Sequence, residues 1–235
     1  MNPVMPSKRG RDLGRPTPQP YVALMSQYPD LPDRLPLFPL GGAILLPGEL
    51  LPLNVFEPRY LNMLDDVQRE GGHIGIIQSR TSSDAARPNL ARIGGAGRLQ
   101  QFQETDDGRY LITLVGVSRF RLKRELDTPT PYRVAEPDYT PYAADLLPRR
   151  EPECDRNRLL QLLQAWFKAE HLAADWSTLR DAPLATLIDQ LSMSAPFPAD
   201  ERQALLEAAD PVARLDLMQD LLAVRIAGGA DGSMQ

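Results

Sequence analysis

The chain has one cysteine, Cys154, and two histidines, His73 and His171, far apart in sequence. A single thiol cannot form an internal disulfide framework, which suits a reducing compartment. Cys154 lies in a polar, proline-bearing run with no histidine nearby, so it reads as incidental. Metal sites need three or four convergent donors, and none gather around either histidine, so no metal is expected. A catalytic triad lacks partners too: Ser79, Ser82, Ser83 and Ser118 stand where turn or strand chemistry explains them. No G-x-x-x-x-G-K-[ST] phosphate loop occurs, and no cofactor is expected. No apolar run approaches the length of a membrane span. The N-terminal Lys8, Arg9, Arg11 and Arg15 are not followed by a hydrophobic region, so no secretory signal is read and a cytoplasmic location is expected. The net charge of −5 leaves no basic excess to neutralise phosphates, which argues against nucleic acid and anionic membrane as partners. The run Arg119, Arg121, Lys123, Arg124 alternates with Phe120 and Leu122 and reads as the solvated face of one strand.

What is present is a composition with 43% hydrophobic and 24% charged residues, enough to bury a substantial core. Residues 1–34 hold seven of the 23 prolines and apolar residues without period, so they read as a flexible tail. Residues 35–148 are strand-rich. Pro36 and Pro39 suit an edge strand or the start of a strand. Pro47-Gly48 is a turn signal, and residues 51–55 resume an extended run. Pro58 fits the first turn of a helix carrying Tyr60, Leu61, Leu64 and Val67, which Gly71-Gly72 ends. Residues 73–78 form a short strand, residues 81–89 a polar loop. Asp107-Gly108 joins two extended runs as a hairpin. The return run 109–117 is apolar on both parities, and Gly116 marks a bulge or a close backbone approach. A further strand over 118–124 continues after a bend, and another covers 132–136.

Beyond Glu153 the apolar period becomes helical. Leu159, Leu160, Leu163, Trp166 and Phe167 share one face, and Leu184, Leu187, Ile188 and Leu191 another, in a helix opened by Asp181 with Pro183 in its first turn. Asp200 with Gln203 resembles a capping box. Asp210-Pro211 starts a last helix that Gly228-Gly229 terminates. Four successive amphipathic helices predict a small bundle over residues 149–228, with a tail at 229–235. The expected class is α+β: a β-rich pseudo-barrel followed by a helical subdomain.

Several separated stretches match one family in order. Residues 35–60, from LPLFPL to LPLNVFEPRY, then IGGAG at 93–97, DGRYLITLVGVSRF at 107–120 and the helical segment 192–222 resemble the N-terminal substrate-binding domain of the ATP-dependent Lon proteases. The likeness spans about residues 35–225. It implies a barrel-like β subdomain, a helical subdomain and recognition of protein substrates. Neither the ATPase nor the serine–lysine protease domain of that family is present, so the expectation is a free-standing, ATP-independent domain of the kind bacteria carry as small separate proteins.

The functional candidates are therefore binding residues. Leu45, Leu46, Leu50, Leu51 and Leu53 crowd around Pro47-Gly48 more densely than one strand pair can bury, and an exposed part of this cluster, with Leu45, Leu46, Pro47, Leu50 and Leu51 as the candidates, would receive an unfolded or extended peptide. Glu57, Pro58, Arg59 and Tyr60 read as a structural strand-to-helix corner, Asp107, Gly108 and Arg109 as a turn. Arg119, beside Phe120, is placed as a partner for Glu57 across the barrel. No catalytic residue is assigned. Two rival readings remain open: a small hydrolase using Glu57 with Asp107 or Glu104, which needs those groups in one cleft, and a structural subunit of a larger protein complex. A hydrophobic stripe on the last helix would favour the second.

Overall fold

The computed structural model describes residues 31–69, 71–80, 88–149, 151–171 and 173–231. The proline-rich stretch 1–30, most of the polar loop 81–89 and residues 232–235 lie outside them.

Six strands form one sheet: β1 (Leu35–Leu40), β2 (Leu50–Val55), β3 (His73–Arg80), β4 (Asn89–Glu104), β5 (Tyr110–Leu126) and β6 (Arg133–Asp138). Their order is β2-β5-β4-β3-β1-β6, and β6 returns to pair with β5, closing a ring from which β2 alone is left out. This works because β5 is 17 residues long. Its first part, from Tyr110 to Val115, pairs with β2, and its last part, from Arg121 to Leu126, pairs with β6. Only β1 and β3 run parallel.

The proline-bearing β1 is not an edge strand, as its sequence suggested. It lies between β3 and β6. The two prolines fit because the β6 ladder spans only Leu35 to Leu37, leaving Pro39 with a neighbour on one side alone. The strand before the hairpin, β4, runs unbroken through the glycine-rich 93–97 to Glu104, and the runs read separately at 109–117 and 118–124 are one strand, β5. Register shifts at Ala96/Gly97 and Leu99/Gln101 absorb the bends, as bulges do when a sheet must curl.

Helix α1 (Pro58–Arg69) lays Tyr60, Met63, Leu64 and Val67 on the sheet, against Ile74, Ile76, Ile112 and Leu114. Val67 O caps it by accepting from Gly72 N at 2.9 Å, with Gly71 and Gly72 both at positive φ. A second cluster gathers Leu35, Leu37, Ile77 and Phe120 with Leu31 and Tyr139. Leu31 is thus part of the packed body.

After a 3-10 turn (Thr140–Leu146) come five helices: α2 (Arg156–Ala169), α3 (Trp176–Asp181), α4 (Leu184–Ser194), α5 (Ala199–Glu207) and α6 (Pro211–Asp231). They share a core that includes Trp166, Leu187, Ile188, Phe197, Leu205 and Met218. The short α3 escaped the sequence reading because its six residues bury none of their own side chains; its cap, Asp175, accepts from Ser177 N and Thr178 N. Asp181 closes α3 and does not open α4. The first N–H groups of α4 are instead held by Glu151, whose carboxylate accepts from Leu184 N at 2.7 Å. The box at Asp200 and Gln203 does not form: α5 begins at Ala199, and Gln203 Nε2 donates to Ile93 O of β4. The last helix runs past Gly228-Gly229 to Asp231.

Candidate functional site

The stretch 43–47 settles where the leucines go. Its backbone passes directly over β4 and β5 at Gly95 and Gly116: a Cβ at Gly95 would collide with Leu45 O and lie 2.9 Å from its carbonyl carbon, and one at Gly116 would do the same at Leu46, 2.8 Å from the carbon. The two glycines are the space this crossing occupies. Leu45 and Leu46 consequently retain 1% and 0% of their surface and belong to the core, Leu45 under α1 and Leu46 beside Ile44 and Leu206. This corrects the expectation that they touch a peptide. Pro47 and Leu51 are half-buried, and only Leu50 of that group stands out in solvent, 54% exposed.

Strand alternation explains the difference. In β2, Leu51, Leu53 and Val55 point to the core, and Leu50, Pro52 and Asn54 point away. Residues paired across a ladder share a face. Leu50 stands beside Val115 and Arg98, Pro52 beside Thr113 and Gln101, Asn54 beside Leu111 and Gln103. Phe56 follows at the end of β2, 64% exposed, and Leu111 is 41% exposed. The outer face of β2-β5-β4 therefore presents mostly apolar and uncharged polar groups, with Arg98 at one corner and Arg109, next in register to Phe56 and paired with Asp107, at the other. A groove of about 570 Å³ runs along it between Pro52, Leu111 and Gln103.

The corner after β2 is self-contained. Arg59 Nη2 pairs with Glu57 Oε2 at 2.8 Å and its guanidinium lies 4.7 Å over the Tyr60 ring, while Glu57 O accepts from Tyr60 N and Leu61 N. The hairpin is equally self-contained. Asp107 accepts from Arg109 Nε at 2.7 Å and from Thr105, and these bonds, Arg109 first, hold its carboxyl down at about 2. A carboxylate so held does not serve as a general acid, and Glu57 and Asp107 are each engaged inside their own turn. Among the described residues no group of three His, Cys, Asp or Glu side chains converges as a metal requires.

Arg119 does not reach Glu57. It is buried, 4% exposed, with Nη2 2.8 Å from Asp145 Oδ1 and Nε 2.9 Å from Oδ2, and it stacks 4.6 Å over Tyr142. Its Nη1 also donates to Leu206 O and Ala208 O at the C-terminal end of α5. A barrel cation thus caps a helix of the other half, where the dipole favours positive charge. Nearby runs a second chain: buried Glu49 accepts from Arg149 at 3.0 Å, Arg149 pairs with Asp189 of α4, and Asp189 pairs with Arg214 of α6 at 2.6 Å. Burial, then the Arg119 charge, pushes the Arg214 guanidinium down to about 9, so it stays charged at neutral pH. Sequence reasoning missed these ties because their partners lie 87 or more positions apart for Arg119–Leu206 and 100 for Glu49–Arg149.

Arg149→Ala should lower stability by about 2 kcal/mol, because it leaves the Glu49 carboxylate buried without its partner. Urea denaturation measures this, and a change below about 0.5 kcal/mol would mean that water replaces the guanidinium.

On the last helix, exposed Val212 and Val224 are separated by twelve positions. At about 100° per residue that sets them about 120° apart, so the two do not adjoin; Val224 instead extends a row with Leu217 and Leu221, which are half-buried against the helical core. No described helix is long and apolar enough to cross a membrane.

Residues 34–224 match the family model of the ATP-dependent protease La (LON) substrate-binding domain. Among curated relatives, Lon protease 2 of Myxococcus xanthus is 25% identical over 201 residues, covering 82% of this chain and 24% of that protein. Lon protease 2 of Syntrophobacter fumaroxidans is 26% identical, covering 79% and 24%. The chain thus spans about a quarter of the length of these relatives, and the match reaches no catalytic domain. The crystal structure of a Lon N-terminal domain protein from Xanthomonas campestris is 27% identical, with a TM-score of 0.56 over 79% of this chain and 96% of that one. The N-terminal domain of the Mycobacterium avium complex Lon protease, at 18% identity and a TM-score of 0.57, shares the fold. With nearly the whole described body matched in sequence and in fold, the chain belongs to the LON substrate-binding domain family.

Proposed function

We propose that this chain is a non-catalytic recognition domain that holds unfolded or extended protein segments on the outer face of β2-β5-β4. It would act as a client-recognition factor or adaptor in the cytoplasm, with no ATP-driven step of its own. The observation that carries this reading is the exposure of Leu50, Phe56 and Leu111 along one face whose remaining side chains are mostly uncharged. Large apolar groups gathered in this way mark interaction surfaces, and a substrate-binding family supplies the kind of partner. The buried leucines beneath keep the face rigid, so binding does not have to order it first.

The double change Phe56→Asp with Leu111→Asp should weaken binding of a reduced, carboxymethylated client by about tenfold or more, as loss of two apolar anchors implies. The melting temperature should stay within about 3 °C, since both side chains are already exposed. Val224→Asp, on the helical half, serves as the control and should leave binding unchanged. Unaltered client affinity in the double variant would overturn the assignment of this face.

A further inference from the structure

The free edge of β2 carries more information than its side chains. Gly116 N donates to Glu49 O at 2.9 Å and Gly116 O accepts from Gly48 N at 2.8 Å, so a bulge at Gly48, which has positive φ, opens the β2–β5 ladder with Glu49 in the hydrogen-bonded register. Bonded and non-bonded pairs alternate along an antiparallel ladder. Following the register, Leu51/Leu114, Leu53/Ile112 and Val55/Tyr110 face each other with bonds, and Leu50/Val115, Pro52/Thr113 and Asn54/Leu111 without. The N–H and C=O of Leu50 and Asn54, and the C=O of Pro52, are therefore turned away from β5. Pro52 stands where its missing donor costs the ladder nothing. Among the described residues no strand pairs with that edge.

Such an edge is normally protected by charge or proline; residues 50–55 contain no charge, and Pro52 withholds one donor while leaving the N–H of Leu50 and Asn54 and three C=O groups open. We propose that the client is held as an added strand, antiparallel to β2 along its free edge, a mode that rests on the recognition reading above. In that register, client residues opposite Leu50, Pro52 and Asn54 turn their N–H towards β2. Those same residues point their side chains to the outer face, beside Leu50 and Phe56. The occupant is an uncharged extended segment of about seven residues, because residues 50–55 carry no charge, Arg98 lies two strands away, and the charged groups beside Phe56 are already paired, Arg109 with Asp107 and Arg59 with Glu57. A second copy of this chain fits less well. Paired about a twofold axis at Pro52, it loses both central bonds, whereas a client donates its own N–H to the Pro52 carbonyl and loses one. Six residues of edge are also far short of the roughly 1,200–2,000 Å² that a stable interface buries.

The probe is an acetylated, amidated, fluorescein-labelled heptapeptide of alternating leucine and threonine, titrated by anisotropy. N-methylation of its central leucine should weaken binding at least tenfold, and N-methylation of the adjacent threonine less than twofold. Asn54→Pro, which removes an edge donor and no bond to β5, should weaken the unmodified peptide similarly. Equal effects at the two peptide positions, or the larger effect at threonine, would overturn strand addition in this direction, even if Asn54→Pro fails to fold. If the peptide binds but the Phe56→Asp, Leu111→Asp variant binds it equally well, the face itself is wrong. A dimer in sedimentation that Asn54→Pro abolishes, with no peptide binding, would overturn the client and assign the edge to a second copy.

Discussion

Arg119→Met should destabilise the protein by about 3–5 kcal/mol, the cost of removing one member of a buried ion pair. Methionine keeps the packing volume against Tyr142 but leaves Asp145 as a carboxylate with 9% of its side chain exposed and no counter-charge. It also strips the cap from Leu206 O and Ala208 O at the end of α5. Both tryptophans, Trp166 and Trp176, belong to the helical half, so their fluorescence reports that half alone, while far-UV circular dichroism reports the whole. Arg119 joins the halves, and its loss should move the fluorescence midpoint to lower urea and separate it from the circular dichroism midpoint. Arg119→Met with Asp145→Leu should recover part of the loss, since the orphaned charge goes with its partner. A loss under about 1 kcal/mol would mean that the halves are held by apolar packing around Leu206 and not by this cation.

The distinction between local and distant determinants governs how much the sequence revealed. The helix at Pro58, the hairpin at Asp107-Gly108 and the amphipathic runs after Glu153 were legible, because each is written within a few neighbouring residues. The family likeness located their order. Arg119 was not legible as a helix cap, because its acceptors lie nearly ninety positions downstream. Nor was the burial of Leu45 and Leu46. Five leucines around Pro47-Gly48 looked too many to bury in one strand pair, and that count omitted the glycines of β4 and β5 that make room for them. Leu50 was named with them, whereas Phe56 and Leu111 were not named as exposed groups. Exposure of those two depends on β2 leaving the barrel to pair with β5 alone, a property of the topology that no local pattern carries.

Gly95→Ala tests that missing step most directly and is expected to cost about 3 kcal/mol, at the upper end of overpacking substitutions. Ordinarily a single added methyl is absorbed by a flexible neighbour. Here the obstacle is the Leu45 carbonyl, and its stretch is fixed on both sides: Ile44, Leu45 and Leu46 are buried, and Gly48 N donates to Gly116 O at 2.8 Å. The whole crossing would have to lift, opening the packing of Leu45 under α1 and of Leu46 against Leu206 together. Gly108→Ala separates space from backbone conformation: Gly108 has positive φ and nothing within 4 Å of the added carbon, so its cost should be only the left-handed penalty of about 1 kcal/mol. Gly95 is not among the positive-φ residues, so its larger loss would measure the crossing alone. Urea midpoints of the two variants decide the matter. Equal losses would show that the crossing can lift away from β4, and would remove the rigid support assumed for the proposed face.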